Sequence, residues 1–467
     1  MKPFYSFLIL IVLTVSSCGH FGSGKTGAGA SNLDVDLELN VRKVTLANGL
    51  RILIMENHKL PIFSYHTFYD VGGRYESRED GTTGATHFLE HMMFKGAKKY
   101  GPGKFDSIIE GNGGSTNAYT TFDSTVYHEN IPSRLVDKII DLEADRMQHL
   151  LLDKTAFEKE RGVVKEERKM RYENSPRGQL YLATMQAVFT GTPYGGSVIG
   201  DVKDLDSLDR DKMMSFFKKF YTPDNAIVVI VGDVNSSHIV DQMKEKFGSL
   251  KSSNDEIKKY KLEKNDSKNF THKGRYNREI KIRGSNPSPM FMMAIPGEPI
   301  GTPKSFVMDI LSSVLGDGES SYLNQKYVKG RRPKLSRISA SNYTLKHNGV
   351  FFLSGQLLNG VSLRGFKKKL IRDSKKFCSE AITERSVQKT KNQYLVGYYG
   401  DIQSNMGIAS FLGLRESFFG DYKFYKKELE IYNSVNITEL KKVCNSLFQK
   451  PKNLFVSVWN RHPKGKK

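Results

Sequence analysis

The chain has 467 residues, too many for one hydrophobic core, so we expect two domains of ordinary size. Hydrophobic residues make up 38% of the sequence, including 28 Phe and 22 Tyr, which excludes a disordered chain. The formal charge is +21, but the basic residues are scattered without an aromatic-and-basic motif, so we expect no nucleic-acid partner. We interpret the charge as a solvated lysine-rich surface, with attraction to anionic membranes or acidic peptides as the alternative.

Residues 1–17 are typical of a signal peptide. Lys2 provides the positive start, and an apolar run from Phe4 to Val15 follows that is short for a transmembrane helix. The run ends in Val15-Ser16-Ser17-Cys18-Gly19, which resembles the lipobox of bacterial lipoproteins. We therefore expect a lipid on Cys18, the alternative being a plain secretory signal with a chance cysteine.

Residues 18–36 are predicted to be the lipidated cysteine and a flexible tether, because Gly, Ser and Ala dominate there. Gly19 after the cysteine resembles the outer-membrane sorting pattern of Gram-negative lipoproteins. We therefore expect a bacterial cell-envelope protein that faces the periplasm, on the outer rather than the inner membrane. Cys378 and Cys444 remain outside the leader, and the sequence leaves open whether they form a disulfide.

From residue 37 onward, predicted strands and helices alternate. A hairpin is predicted at 41–46 and 50–54 around the turn Asn48-Gly49, with further strands at 62–69, 226–232 and 349–355. Helices are predicted at residues 84–95, 105–111, 135–152, 157–172, 237–247, 305–315, 380–399 and 437–448. Residues 251–274 are polar and the order of elements restarts after them. We therefore predict an N-terminal domain at 37–250, a linker at 251–274 and a C-terminal domain of like construction at 275–467.

The strongest chemical signal is His87-Phe-Leu-Glu90-His91, within the predicted helix 84–95. Residues four apart lie above one another on a helix, so His87 and His91 can present both imidazoles to one metal ion. Glu90 lies beside them, within reach of a metal-bound water. The intervening and following positions are apolar: Phe88, Leu89, Met92 and Met93. Three ionisable groups in a helix suited to burial indicate a compensating ion, and we predict Zn²⁺. Three satisfied polar side chains are the alternative.

A catalytic zinc site requires three protein ligands and one open position. The predicted helix 157–172 carries two carboxylates, Glu160 and Glu167, on a mainly apolar stripe formed by Phe157, Val163, Val164 and Met170. We predict Glu167 as the third ligand and Glu160 as a carboxylate that orients a ligating imidazole. Without the first motif this helix would be interpreted as a solvated charged surface. The predicted chemistry is peptide hydrolysis, with Glu90 taking the proton of a zinc-bound water.

These residues resemble the pitrilysin/insulinase family of zinc peptidases, which includes the mitochondrial processing peptidase. The resemblance rests on His87-Phe-Leu-Glu90-His91 and on Glu160-Arg-Gly-Val-Val-Lys-Glu-Glu167, with 75 residues between His91 and Glu167. It implies an α+β fold with two homologous domains, each a mostly antiparallel sheet packed with helices on one side. The two domains would close around a chamber, with zinc in the first domain.

The same resemblance implies further roles. The segment beginning at Asn117-Ala118 is similar to the family's edge strand, where these two residues bind an extended peptide by strand addition. Without the resemblance, an ordinary strand would be the interpretation. Active members usually carry an Arg and a Tyr in a C-terminal domain, whereas Val328 and Leu335 align there in this chain. Arg331, Arg332 or Arg337 with Tyr343 could substitute only if the loop had shifted.

We therefore expect a homologous partner chain that supplies the Arg/Tyr pair, giving a heterodimer, with a homodimer as the alternative. The expected function is a zinc endopeptidase acting on peptides or unfolded segments, attached to a membrane by its lipid. The alternatives are a non-catalytic scaffold or binding subunit of the same fold, which would purify without stoichiometric metal, and a metal-storage or metal-sensing lipoprotein. The sequence does not select a physiological substrate.

Overall fold

The computed structural model describes residues 37–271, 273–284, 288–449 and 452–459. The predicted signal peptide, Cys18 and the tether at 18–36 lie outside the described residues. Within the described part of the chain, no helix combines the length and apolar character needed to cross a membrane.

The strands form two mixed sheets, one in each half of the chain. The first sheet contains β1 (Arg42–Thr45), β2 (Arg51–Glu56), β3 (Ile62–Tyr69), β4 (Ser115–Thr120), β5 (Thr125–Pro132) and β6 (Ala226–Gly232). The second contains β7 (Arg278–Arg283), β8 (Met290–Pro296), β9 (Leu335–Thr344), β10 (Gly349–Leu357) and β11 (Leu454–Trp459). Their spatial orders are β1-β2-β6-β3-β5-β4 and β7-β11-β8-β10-β9.

Leaving out β1, both sheets have the same topology, in which the last strand inserts between the first two. The inserted strand pairs in parallel with the first strand of its half, β2 with β6 and β7 with β11, and the other pairs are antiparallel. The prediction of an α+β fold with two homologous, mostly antiparallel halves is therefore confirmed.

Each predicted helix is present, and further helices occur that were not predicted. In the first half they are α1 (Ala85–Met92), α2 (Lys104–Glu110), α3 (Val136–Gln148), α4 (Lys154–Arg168), α5 (Pro176–Val188), α6 (Val202–Ser207), α7 (Arg210–Phe220), α8 (Ser236–Phe247) and α9 (Asp255–Lys264). In the second they are α10 (Pro303–Gly316), α11 (Tyr322–Tyr327), α12 (Leu363–Ser374), α13 (Phe377–Glu380), α14 (Glu384–Asp401), α15 (Asn405–Phe419), α16 (Phe424–Ser434) and α17 (Ile437–Phe448). A π-helical turn, Lys169–Glu173, extends α4.

The two halves exchange one helix each. Helix α5 of the first half packs on β8 and β11, whereas α15 of the second half packs on β3 and β6. The approach of α15 is close, because a Cβ added at Gly413 would lie 2.1 Å from the Phe68 ring. Each half thus buries the second apolar face of the other half's sheet, which couples the two halves through hydrophobic burial.

The segment predicted as a linker contains a helix. Tyr260 of α9 packs beside Phe220 with ring centroids 6.2 Å apart, and its hydroxyl lies 3.4 Å from the Tyr75 carbonyl oxygen. Phe270, near the end of the segment, is buried and packs beside Tyr194 with ring centroids 5.0 Å apart. This mainly polar segment therefore packs on the first half through aromatic side chains. In the second half, Cys378 and Cys444 form a disulfide, a pairing that the sequence left open.

One buried acid in the second half predicts a pH effect on stability. Asp309 of α10 accepts hydrogen bonds from Asn342 Nδ2 (2.8 Å) and the Tyr432 hydroxyl (2.9 Å), and burial raises its pKa to about 7. The folded protein therefore binds a proton more tightly than the unfolded chain. Stability falls as pH rises from about 4 to 7, by at most about 4 kcal/mol from this group.

Asp309→Asn keeps an acceptor and removes the charge. We expect this variant to be more stable than the parent at pH 8 and to lose less stability between pH 5 and pH 8, as measured by urea unfolding. Asp255→Asn, at an exposed position of α9, is the control and should leave the slope unchanged. Equal slopes for the parent and Asp309→Asn would show that this carboxyl does not titrate as described.

Candidate metal centre

Helix α1 is held at its start by a buried carboxylate. Glu76 Oε2 accepts the Gly84 N–H (2.7 Å) and Oε1 accepts the Thr86 N–H (2.8 Å), satisfying two of the amides that a helix N-terminus leaves unpaired. Gly84 has a φ of 86°, and a Cβ there would lie 2.2 Å from the Ile199 carbonyl oxygen. Only glycine fits this position, so the start of the histidine-bearing helix is fixed closely.

Aromatic packing brings the second helix against the first. Phe88 of α1 stacks on Phe157 of α4 with ring centroids 4.6 Å apart. This contact places the carboxylate face of α4 opposite the two histidines of α1. The Nε2 atoms of His87 and His91 lie 3.7 Å and 3.4 Å from Glu167 Oε2.

These three side chains form a group that could hold a metal ion. One ligand atom from each of His87, His91 and Glu167 lies within 4.8 Å of the other two. Two imidazole nitrogens and one carboxylate oxygen are a donor set suited to a zinc ion with one position left open. Among the described residues, no other cluster of His, Cys, Asp and Glu meets the same criterion. The residues predicted as ligands are therefore brought together.

A second carboxylate orients His91. Glu160 Oε1 lies 2.8 Å from His91 Nδ1, and Oε2 pairs with Lys95 Nζ at 2.8 Å. A carboxylate on Nδ1 fixes the imidazole tautomer that presents Nε2 to an ion. Glu160 thus lies where the sequence predicted. Lys95, four residues after His91, was not identified from the sequence.

Glu90 lies beside this group and is buried. Its Oε2 accepts a hydrogen bond from the Thr120 hydroxyl of β4. Burial raises the pKa of Glu90 to about 7, in spite of the nearby His91. A carboxyl with a pKa near neutrality can accept and return a proton under physiological conditions. The sequence missed Thr120, although it lies two residues after Ala118 and so shares its face of the strand.

The histidines differ in their proton affinity. Burial, followed by the neighbouring His91, lowers the pKa of His87 to about 3, which favours the neutral imidazole that metals bind. Burial would also lower the pKa of His91, but hydrogen bonds to Glu160 and Glu167 raise it to about 9. Burial opposes ionisation of Glu167, yet the two histidines and Arg171 lower its pKa to about 2. Metal binding would release the extra proton that His91 holds.

The apolar stripe predicted on α4 is narrower than expected. Phe157, Glu160 and Val164 are buried, but Val163 is 45% exposed and Met170 is 69% exposed. The stripe is therefore not one continuous buried face. Met170 lies in the π-helical turn after α4, and helical spacing alone does not show how wide the contact is.

The predicted peptide-binding residues lie on an edge strand. Strand β4 is the last in the first sheet, with β5 on one side only. Asn117 is exposed and Ala118 is buried, and the Asn117 side-chain oxygen accepts the Ala118 N–H at 2.9 Å. Because Thr120 of the same strand contacts Glu90, the edge runs beside the metal group.

The three residues of this group all lie in the first half of the chain. The charged residues that act most strongly on His87, Glu90 and Glu167 all belong to α1 or to the segment from α4 to Arg171. In the second half, Leu335 is buried, and the Tyr343 hydroxyl forms a hydrogen bond with Tyr181 of α5. Arg331, Arg332 and Arg337 are exposed.

Sequence and structure comparisons agree with this geometry. The model of the insulinase family (peptidase family M16) matches residues 51–202, which contain α1 and Glu167. A second model, the peptidase M16 inactive domain, matches residues 207–394. The description "inactive" thus falls on a region that lacks the metal group.

Named relatives point the same way. The zinc protease PqqE of Helicobacter pylori is 29% identical over 416 residues, covering 87% of this chain and 90% of that protein. The mitochondrial-processing peptidase subunit beta of Dictyostelium discoideum is 24% identical and covers 87% of this chain and 86% of its own. The crystal structure of a protease from Helicobacter pylori superposes with a TM-score of 0.82 at 26% identity, covering 90% of this chain and all of that one. The chain therefore belongs to the insulinase (peptidase M16) family, as the pitrilysin/insulinase resemblance of its motifs predicted.

Proposed function

We propose that this chain is a zinc-dependent endopeptidase that hydrolyses peptides or unfolded polypeptide segments. The observation that carries the proposal is the convergence of His87, His91 and Glu167 on one point, with the buried carboxyl of Glu90 beside it. Relatives named as zinc proteases support the choice of metal. A binding subunit of the same fold would have no use for a complete ligand set and an adjacent base.

In this proposal, each residue of the site has a separate role in peptide hydrolysis. His87, His91 and Glu167 would hold the zinc ion, which supplies an acidified water and a polarised carbonyl group when bound. Glu160 would keep His91 oriented through Nδ1. Glu90 would accept the proton of the attacking water and return it to the leaving amine. The Thr120 hydroxyl fixes the position of Glu90 by donating to it.

We assign substrate binding to the free edge of β4. An extended peptide added there would be held by main-chain hydrogen bonds, which depend little on side-chain identity. Its carbonyl group would take the place that the Asn117 side chain now occupies on the Ala118 N–H. This arrangement suits a peptidase with a broad choice of sequence.

The proposal also includes a partner chain. Val328 and Leu335 stand where the resemblance places an Arg/Tyr pair, and Tyr343 is engaged with Tyr181. We propose a homologous partner that supplies the missing pair and closes the chamber, with a second copy of this chain as the alternative. We also propose attachment to the bacterial envelope, periplasm-facing, through a lipid on Cys18. The Cys378–Cys444 disulfide supports a compartment that is not reducing.

The test uses a quenched-fluorescence peptide library. We expect slow cleavage by the purified chain, faster cleavage with its homologous partner, and loss of both after treatment with a chelator. Stoichiometric zinc should be present before chelation and should restore cleavage when added back. Full activity of the lone chain would refute the partner proposal alone, whereas a chain that purifies and remains without bound zinc would refute the peptidase.

A further inference from the structure

Arg171 lies in an unusual turn beside the metal group. Regular α-helical geometry ends at Arg168, and Lys169–Glu173 form a π-helical turn, a feature often found at functional sites. The start of α5 presses against this turn, because a Cβ added at Gly178 would lie 1.7 Å from the Arg171 carbonyl oxygen. The backbone that carries Arg171 is therefore fixed from outside its own helix.

The side chain of Arg171 contacts Glu167, the predicted third metal ligand. Its Nη2 forms an ion pair with Glu167 Oε1 at 3.3 Å. The other oxygen, Oε2, is the one that faces His87 and His91. The two oxygens of Glu167 are thus divided between a guanidinium group and the position where the imidazoles converge.

This division matters because a carboxylate can bind a metal ion through one oxygen or through both. A catalytic zinc site needs a position for water beside its three protein ligands. If both oxygens of Glu167 turned toward the ion, the second would compete for that position. The ion pair with Arg171 opposes such a rotation.

We propose that Arg171 is a positioning residue that restricts Glu167 to one-oxygen ligation and so keeps a coordination position open. The inference rests on the proposed zinc-peptidase function. A merely structural ion pair between residues four apart on a helix is the competing explanation. The side chains of Arg171 and Glu167 are only 19% and 18% exposed, so a specific arrangement is retained here with little solvent screening.

The decisive measurement is the visible spectrum of the cobalt-substituted full chain. Four-coordinate Co²⁺ absorbs more strongly than five-coordinate Co²⁺, so the band intensity reports how many ligands the ion has. We expect Arg171→Met to lose about half or more of the molar absorption at unchanged cobalt stoichiometry, because Glu167 becomes free to bind through both oxygens. The kcat for a peptide substrate should fall with little change in KM.

Lys169→Met is the matched control. Lys169 lies in the same π-helical turn and carries the same charge, but it is 52% exposed and forms an ion pair with Glu166 at 3.7 Å. It should keep the parent spectrum. Arg171→Lys restores a cation beside Glu167 and should recover part of the lost intensity. If Arg171→Met does not fold, Arg171→Gln replaces it, and the intensity of the same cobalt absorption band is measured.

The outcomes are separable. A parent-like cobalt spectrum in a folded Arg171→Met or Arg171→Gln variant would overturn the inference and leave the peptidase proposal standing. A parent protein that binds no cobalt and no zinc would instead overturn the proposed function itself.

Discussion

Glu90→Gln is expected to reduce peptide hydrolysis by about 10³-fold or more while leaving the bound zinc in place, since general acid–base groups contribute roughly 10²–10⁴-fold to catalysis. The amide keeps the size of the carboxyl and can still accept the Thr120 hydrogen bond, but it cannot take a proton from water. His87, His91 and Glu167 are untouched, so the metal site should remain complete. The measurements are kcat on a quenched peptide and zinc content by atomic absorption.

The matched control is Glu166→Gln. Glu166 is adjacent to Glu167 on α4 but is 69% exposed and forms an ion pair with Lys169, so the activity of the Glu166→Gln variant should equal that of the parent. A Glu90→Gln variant with more than a tenth of the parent activity would remove Glu90 from the reaction. Loss of zinc together with activity would instead show that Glu90 helps to build the site.

Arg74→Met is expected to destabilise the fold by about 3–5 kcal/mol, because it leaves the buried carboxylate of Asp123 without its cation. Arg74 is 1% exposed, and its guanidinium pairs with Asp70 (2.7 Å) and Asp123 (2.9 Å). The second half joins the same network, since Lys346 pairs with Asp70 at 3.2 Å and donates its backbone N–H to Asp123 at 3.1 Å. Removing Arg74 should therefore loosen the contact between the halves as well.

Urea unfolding measures this effect, with Arg78→Met as the control. Arg78 pairs with Asp201 at 3.2 Å but is 53% exposed, so its loss should cost less than about 1 kcal/mol. Adding Asp123→Asn to Arg74→Met should recover part of the loss, because the unpaired buried charge is then gone. If Arg74→Met and Arg78→Met unfold at the same urea concentration, the buried network does not hold the halves together.

Periodicity located the elements well where one physical signal dominated. The continuous apolar run at Ala226–Gly232 and the amphipathic segment Ile437–Phe448 have the predicted bounds. Both signals are local, since they depend on burial of neighbouring side chains in the sequence. Prediction was weaker at α4, where Val163 and Met170 continue the helical spacing but lie in solvent.

The metal group was predictable because its residue types are rare in an apolar helix and have a fixed spacing. His87 and His91 lie on one helix, so their relation is local. Glu167 is distant in sequence, and only its place on a second predicted helix, together with the family resemblance, selected it over the neighbouring Glu166. The contact of Phe88 with Phe157 brings the helix that carries Glu167 against the helix that carries the histidines, and this is a tertiary contact.

The amino-acid sequence by itself determined the α+β class, the two like halves, the histidine pair and the carboxylates that face it. The reason is that the spacing of hydrophobic residues and the chemistry of the side chains can be recognised within short segments of the sequence. Only the tertiary structure decided the exchange of α5 and α15 and the pairing of Cys378 with Cys444. Each of these depends on which surfaces meet after the chain folds, and such a meeting leaves no periodic trace in the sequence.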